Sequence, residues 1–290
     1  MVGHFEDPDA LQDLGHDDEN TIREYGYEHS SVTAETVLLT DRVDAVLVLT
    51  LNRPEARNAL SPALINALSD SLQAAADDEE VLAVVITGAG EKAFCAGMDL
   101  RAFAEARDAG NADMGSFDAL TWFHKGGFPK PVVAAVNGPA VAGGFELVLS
   151  CDLVVAADHA TFGLAEVKRA LFPAGGGTTL SARIPLAVAM EMGLTGDAVD
   201  AARAQAVGLV NRVVPVGQLL DEALALASRV AANGPLAVQV TKRLMREAAL
   251  VDPQRGWASA DDIALVFTSE DAAEGAKAFV EKRPPQWKGR

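Results

Sequence analysis

The sequence predicts an α/β protein, and two features of the 290-residue chain support this prediction. Short apolar runs of strand length, each bounded by turn residues, alternate with segments whose apolar residues recur at helical spacing. The segment with Leu64, Leu68 and Leu72 four residues apart, for example, is followed by the apolar run at residues 81–87. Strands that alternate with helices in this way are typical of a sheet with parallel strands.

The predicted elements begin at residue 37, where two strands at 37–40 and 45–51 flank a turn. Ser61 is the expected N-cap of a helix that starts at Pro62 and ends near Ala76. Further strands are predicted at residues 81–87, 131–136 and 153–157, with a helix over 143–150 between the last two. After Pro215 the strands stop, and helices are predicted over residues 216–231, 235–250 and 260–280.

The net charge of −17 is unevenly distributed along the chain. Residues 1–36 contain ten acidic residues and one basic residue, Arg23, and they lack apolar periodicity. Such a composition predicts an acidic, disordered leader. The remaining chain is predicted to comprise an α/β core with the active site over residues 37–230 and a helical oligomerisation segment over residues 231–290.

Charge and composition exclude several classes of function. A strongly acidic chain is a poor partner for nucleic acid, whose phosphates need clustered Lys and Arg. The absence of a span-length apolar run and of a basic-then-apolar start predicts a cytoplasmic protein without a membrane partner. Cys95 and Cys151 have neither disulfide-framework nor metal-ligand spacing, and His124 and His159 form no ligand pair. No metal is therefore expected.

The stretch from Asn137 to Asp152 organises the rest of the sequence. Gly138 and Pro139 form a turn signal after a buried strand, and Gly143-Gly144 allows a close approach of backbone. The helix that starts there offers unpaired backbone N–H groups and the positive end of its dipole. Glu146 lies in its first turn, where an acid is also explained by simple helix capping.

Nucleotide-binding and hydrolase motifs are absent or incomplete in the sequence. Gly88-Ala-Gly-Glu-Lys-Ala93 matches half of a dinucleotide fingerprint but lacks its third glycine, so a plain turn is the better interpretation. No phosphate-binding loop ending in Gly-Lys-Ser/Thr is present, and no Gly-x-Ser-x-Gly motif is present.

Two glutamates, Glu146 and Glu166, remain as the candidate acid–base catalysts, each beside glycine-rich backbone. The loops around Met98 and Gly143 can each supply one N–H to an oxyanion. These parts suit proton transfer next to a polarised carbonyl group. For Glu166, a salt bridge with a following basic residue, Lys168 or Arg169, remains an open alternative.

From about residue 37 to Trp287 the chain resembles the crotonase (enoyl-CoA hydratase/isomerase) superfamily, and the resemblance covers nearly everything but the leader. It rests on several motifs in the family's order: Asn52-Arg-Pro-Glu-Ala-Arg-Asn-Ala-Leu60, Lys92-Ala-Phe-Cys-Ala-Gly-Met-Asp-Leu100, Ala134-Ala-Val-Asn-Gly138, Ala142-Gly-Gly-Phe-Glu146, Ser150-Cys-Asp152, Phe162-Gly-x-x-Glu166 and Ala278-Phe-Val-Glu-Lys-Arg283.

The resemblance implies roles for the candidate residues. The N–H groups of Met98 and Gly143 would bind the thioester oxygen of an acyl-CoA. Glu146 and Glu166 would hold and activate water, one acting as base towards water at C3 and the other supplying the proton at C2. Met98 stands where the family usually has a small residue, which leaves the acyl-chain preference open.

The resemblance also implies a CoA site and an assembly. Coenzyme A enters as part of the substrate, so no separate cofactor is implied. Phe279 and Lys282 would reach the CoA of a neighbouring subunit in a homotrimer or a dimer of trimers. The residues expected to bind CoA or substrate within one subunit are Arg57, Ala59, Ala96, Asp99, Leu100, Arg101 and Gly144.

The sequence therefore predicts a crotonase-type spiral of β-β-α units with a C-terminal trimerisation segment, and a 2-enoyl-CoA hydratase activity. An enoyl-CoA isomerase or a specialised dehydratase, such as carnitinyl-CoA dehydratase, remains as an alternative. An isomerase can work with one carboxylate, so the presence of both Glu146 and Glu166 favours hydration. A non-catalytic acyl-CoA-binding homologue is the alternative from another class.

Overall fold

The computed structural model describes residues 36–99, 119–251 and 259–290. The predicted leader, apart from Thr36, lies outside these ranges, and so do two predicted CoA-binding residues, Leu100 and Arg101.

Nine strands in the described part of the chain form two sheets. They are β1 (Leu38–Val43), β2 (Val46–Leu51), β3 (Ala83–Gly88), β4 (Val132–Val136), β5 (Ala140–Val141), β6 (Leu153–Ala157), β7 (Thr161–Gly163), β8 (Val199–Asp200) and β9 (Arg212–Val214). The larger sheet has the order β1-β2-β3-β4-β6-β9, in which only the β1–β2 pair is antiparallel. The smaller sheet has the order β5-β7-β8.

The helices of the described residues connect and cover these strands. They are α1 (Pro62–Asp77), α2 (Thr121–His124), α3 (Gly143–Ser150), α4 (Leu186–Thr195), α5 (Ala201–Ala206), α6 (Leu219–Ala231), α7 (Pro235–Leu250), α8 (Ala260–Phe267) and α9 (Glu270–Glu281). Short 3₁₀ helices occur at Pro54–Ala56, Ala165–Arg169, Gly177–Ala182 and Val216–Gln218. None of the helices seen here combines the length and apolarity needed to cross a membrane.

The core lies on the parallel strands, which explains their unbroken apolar sequences. Strand β4 is buried at every position, as expected for a strand covered on both faces. Helix α6 packs against β2, β3, β4 and β6, and α1 packs against β1 and β2. The predicted inner face of α1, formed by Leu64, Leu68 and Leu72, is fully buried. Ser61 caps this helix as predicted, since its side chain accepts the N–H of Leu64.

Several predicted boundaries were wrong for local reasons. Strand β1 continues through Val43, so the first hairpin turns at Asp44-Ala45 alone, where Asp44 adopts a φ of 52°. Such a tight hairpin turn needs positive φ, which Asp tolerates better than most residues. The predicted last helix is divided into α8 and α9, because the Ser269 hydroxyl accepts the N–H of Ala272 and starts a new helix. The small sheet and helices α4 and α5 were not predicted.

Candidate active site

Two segments predicted to bind CoA run side by side in the structure. The N–H of Ala96 donates to the carbonyl of Arg57 at 3.1 Å, and the N–H of Leu60 donates to Gly97 at 2.8 Å. The N–H of Asp99 then donates back to Leu60 at 3.0 Å. Loop 57–60 and loop 96–99 therefore form one backbone-paired unit, although nearly forty residues separate them in sequence.

Arg53 forms hydrogen bonds to both loops of this unit. Its guanidinium donates to the carbonyl of Ala59 at 2.6 Å and to the carboxylate of Asp99 at 2.9 Å. Both charged side chains are mostly buried, with 19% and 14% exposure. Asp99 thus has a structural partner, and the direct contacts of Ala59 and Asp99 with CoA remain predictions.

Arg53→Met should lower kcat/KM about tenfold and the free energy of unfolding by roughly 2 kcal/mol, since a partly buried carboxylate loses its charged donor. The measurement is steady-state kinetics with the enoyl-CoA substrate that the family resemblance implies, together with urea unfolding. Arg42→Met is the matched control, because Arg42 pairs with Glu80 at an exposed site. Unchanged kcat/KM in Arg53→Met would contradict a positioning role for this pair.

Two buried amide side chains, Asn58 and Asn137, hold the loop that follows β3. The Asn58 amide donates to the carbonyls of Ala89 and Ala93 at 3.0 and 2.9 Å, and the Asn137 amide oxygen accepts the N–H of Gly88 at 3.1 Å. The half-match to a dinucleotide motif is thus a turn, as predicted. No role was predicted for these asparagines from the sequence, although an Asn directly after the apolar strand was an available signal for Asn137.

The start of α3 touches the loop that carries Met98. A methyl group added at Gly143 would lie 3.6 Å from Cα of Gly97 and 3.7 Å from the backbone nitrogen of Met98. Gly97 itself has a φ of 86°, which a side chain would strain. Among the described residues, no protein acceptor receives the N–H of Met98 or of Gly143. Two unused donors therefore lie close together.

Gly144 is required by packing rather than by a turn. A methyl group added there would lie 2.2 Å from the carbonyl oxygen of Cys95. The same carbonyl accepts the N–H of Val141 at 3.0 Å. Burial raises the pKa of the Cys95 thiol to about 12, as it does for Cys151, so both cysteines are core residues, as predicted. A contact of Gly144 with substrate remains a prediction.

Glu146 is buried against a glycine loop. Its Oε1 accepts the N–H of Gly177 at 2.9 Å, and a methyl group added at Gly175 would lie 2.6 Å from its Oε2. Burial raises the pKa of this carboxyl group, the nearby charge of Glu166 raises it further, and the N–H groups of Gly177 and Gly175 partly offset the rise. The carboxyl is therefore poised to hold a proton more readily than an ordinary glutamate.

Glu166 lies in the 3₁₀ helix Ala165–Arg169, and burial also raises its pKa. Its Oε2 is buried and has no hydrogen-bond partner within the described residues. Lys168 instead pairs with Asp197 at 2.6 Å, and Arg169 is exposed. The salt-bridge alternative for Glu166 is thus not what the structure shows, and this carboxylate is available for chemistry.

Glu166→Gln should lower the pKa of Glu146, because it removes a negative charge that raises that pKa. Carbon-13 NMR titration of glutamate side chains measures the shift. Asp197→Asn is the control, since it removes a fully exposed carboxylate that pairs with Lys168. A Glu146 titration that is the same in wild type and Glu166→Gln would show that the two carboxyls are not coupled.

A histidine and a serine contact helix α3 on the side of Ser150. Nδ1 of His124 lies 2.6 Å from Oγ of Ser150, whose hydroxyl donates to the carbonyl of Glu146 at 2.8 Å. Because the Ser150 hydroxyl proton is donated to Glu146, Nδ1 of His124 carries the hydrogen of the His124–Ser150 bond and donates it to Oγ of Ser150. Burial lowers the pKa of His124 to about 4, which keeps the ring neutral. The sequence places His124 in no metal-ligand pair, and its contact with Ser150 was not predicted.

The predicted C-terminal contacts lie apart from this cluster in sequence. Lys282 is exposed and follows the end of α9 with a φ of 52°. Phe279 lies within α9, but its side chain is not among those that the structure describes. Their contact with CoA on a neighbouring subunit remains a prediction, as do the roles of Leu100 and Arg101.

Comparison with known proteins identifies the family to which the chain is similar. The sequence profile described as "Enoyl-CoA hydratase/isomerase" matches residues 41–290. Enoyl-CoA hydratase EchA19 of Mycobacterium tuberculosis is 40% identical over 259 residues, covering 87% of this chain and 96% of that protein. Carnitinyl-CoA dehydratase of Proteus mirabilis is 39% identical over 265 residues, covering 89% and 100%. A crystal structure of enoyl-CoA hydratase from M. tuberculosis matches with a TM-score of 0.76 and 43% identity, covering 88% of this chain and 99% of that one.

The chain has the crotonase fold. It belongs to the enoyl-CoA hydratase/isomerase family. The predicted family, fold class and enzyme type are thereby confirmed.

Proposed function

We propose that the protein hydrates 2-enoyl-CoA thioesters, with Glu146 and Glu166 as the acid–base pair and the N–H groups of Met98 and Gly143 as the oxyanion hole. One observation carries the proposal. Glu146, whose raised pKa owes part of its rise to the charge of Glu166, lies on the helix that begins at Gly143, and the unused N–H of Gly143 lies close to that of Met98. Glu166 follows strand β7, whose Gly163 carbonyl accepts the N–H of Ala142. Glu146 is on the same helix as Gly143, three residues further along.

In the proposed reaction the thioester oxygen accepts both N–H groups, and the positive end of the α3 dipole stabilises the enolate that forms. Water adds its oxygen to C3 and gives a proton to one carboxylate, while the other carboxyl gives a proton to C2. The pair therefore starts and ends with one proton in total. Coupled carboxyls that titrate as a unit suit this exchange, and either member can be the acid.

The substrate's CoA part is proposed to lie along the paired loops. Arg57, Ala59, Ala96, Asp99 and Gly144 would contact it, with Leu100 and Arg101 beyond them. Phe279 and Lys282 of a neighbouring subunit would complete the site. The exposed apolar residues of α8 support an assembly of subunits, since Ile263, Leu265 and Phe267 are 50%, 51% and 77% exposed.

Phe267→Glu should convert a proposed trimer into smaller species, because the charge would be buried in the subunit contact. Light scattering on the eluting protein measures the mass. Phe172→Glu, at a 72% exposed site between the 3₁₀ helices, is the matched control and should leave the mass unchanged. A monomeric wild type, or a Phe267→Glu variant of wild-type mass, would contradict this contact.

A specialised dehydratase is the second candidate, and the 39% identity to Carnitinyl-CoA dehydratase favours it over an isomerase. Dehydration is the reverse of the proposed hydration and uses the same two carboxyls. A non-catalytic acyl-CoA-binding protein would have no need for two buried carboxyls with raised pKa values.

Loss of the conjugated enoyl absorbance on adding protein to crotonyl-CoA tests the proposal. A panel with longer, branched and 3-enoyl thioesters, and with hydroxyacyl thioesters run in reverse, then identifies the preferred substrate. Fast loss with any 2-enoyl thioester supports hydration. Turnover of 3-enoyl thioesters alone would support an isomerase instead, and binding without turnover of any thioester would support the non-catalytic alternative.

A further inference from the structure

Ala142, the residue before the proposed oxyanion-hole glycine, has an unusual backbone conformation. Its φ is 52° and its ψ is −126°. Arg57 and Ala170 also have positive φ, but their ψ values of 37° and 31° place them in the left-handed helical region. The conformation of Ala142 lies outside that region. A residue with a Cβ atom is strained in the conformation that Ala142 adopts.

This conformation determines where the N–H of Gly143 points. The carbonyl of Ala142 accepts the N–H groups of Phe145 and Glu146 at 2.8 and 2.9 Å, so it points into helix α3. The peptide bond between Ala142 and Gly143 is planar and trans, and therefore its N–H points the opposite way, out of the helix. At an ordinary left-handed ψ of about 45° the peptide plane would turn by nearly half a revolution and reverse this direction.

Neighbouring segments hold Ala142 in place. Its own N–H donates to the carbonyl of Gly163 at 2.9 Å, and a methyl group added at Gly97 would lie 3.0 Å from its Cβ. Ala142 is thus hydrogen-bonded to strand β7 through its backbone, and the loop that carries Met98 packs against its side chain. Strained residues persist only where the surrounding structure fixes them, and they are concentrated at functional sites.

We propose that Ala142 is a positioning residue, held in a strained conformation that aims the N–H of Gly143 at the carbonyl oxygen of the bound thioester. The inference rests on the proposed function of that N–H. The strain at Ala142 lowers the stability of the free protein. In return, the N–H of Gly143 already has the direction that the bound thioester needs.

Two substitutions at this position test the proposal. Ala142→Gly removes the strain and adopts the same conformation, so Tm should rise by about 2–4 °C while kcat stays within about threefold. Ala142→Val adds a β-branched side chain, which disfavours positive φ still more, so kcat should fall at least about thirtyfold with KM changed much less. Asp44→Gly, at the remote hairpin turn, is the control and should leave kcat unchanged.

A spectroscopic readout separates positioning from stability. A conjugated aryl-enoyl-CoA absorbs at longer wavelength when its carbonyl is polarised, and the red shift on binding should be lost in Ala142→Val at saturating protein. A retained red shift in Ala142→Val, or a lower Tm in Ala142→Gly, would overturn the inference. If Ala142→Val does not fold, the Tm of Ala142→Gly decides. No red shift in the wild type would instead overturn the proposed oxyanion hole and this role with it.

Discussion

Glu146→Gln and Glu166→Gln should each lower kcat/KM for the preferred enoyl-CoA at least about a hundredfold, the usual effect of removing a general acid or base. Each substitution keeps the size of the side chain and removes its ability to exchange a proton. Glu146 is buried, and Oε2 of the half-buried Glu166 has no hydrogen-bond partner among the described residues. The measurement is the initial rate of enoyl absorbance loss.

The stability of Glu166→Gln separates lost chemistry from lost folding. Burial raises the pKa of Glu166 above its unfolded value, so its ionised form destabilises the folded protein at high pH. The penalty is present above the raised folded pKa and disappears as pH falls below the unfolded pKa. Glu166→Gln should therefore match or exceed the wild-type Tm at pH 8, with the difference narrowing in acid. If the Tm of Glu166→Gln at pH 8 were much lower than that of the wild type, its lower rate would be due to unfolding rather than to lost chemistry.

Gly143→Ala should lower kcat/KM about a hundredfold or more without a comparable loss of stability, because the added methyl group would block the oxyanion hole. The new methyl group would lie 3.7 Å from the Met98 nitrogen, in the space where the thioester oxygen must accept both N–H groups. Its nearest protein contact is the end of the flexible Leu60 side chain at 3.3 Å, which can move aside. Kinetics and thermal unfolding of the same preparation test both halves of the expectation.

Gly144→Ala is the matched comparison, with the same added atom one residue further along. There the methyl group meets the Cys95 carbonyl oxygen at 2.2 Å, and backbone cannot move aside cheaply. Gly144→Ala should therefore lose several degrees of Tm, whereas Gly143→Ala should not. If Gly143→Ala keeps wild-type kcat/KM, the oxygen does not bind between Met98 and Gly143.

Much of the fold could be predicted from the sequence because its signals are local. Apolar runs and the Ser61-Pro62 start predicted strands and helices, and α3 and β6 have the predicted bounds. The first turn was predicted over residues 41–44 instead of 44–45, because the positive φ of Asp44 sets its position. The break at Ser269 was missed because a single hydroxyl hydrogen bond starts α9.

For the candidate site, the sequence yielded candidate residues but not their geometry. Glu146 and Glu166 were predicted because each lies beside glycine-rich backbone. The contacts of Gly175 and Gly177 with the Glu146 carboxyl group join segments about thirty residues apart. No local sequence pattern encodes those contacts. The same holds for the strain at Ala142, which depends on strand β7 and the Met98 loop rather than on its own sequence context.

Running the reaction with crotonyl-CoA, or the best thioester from the panel, in ¹⁸O-labelled D₂O tests the central claim most directly. Paired acid–base hydration by Glu146 and Glu166 predicts one solvent oxygen at C3 and one solvent deuteron at C2 in the product, detected by mass spectrometry. Both labels should appear at rates that fall together in Glu146→Gln and Glu166→Gln. Turnover that leaves solvent oxygen out of the product, or that persists at the wild-type rate in both variants, would contradict the account.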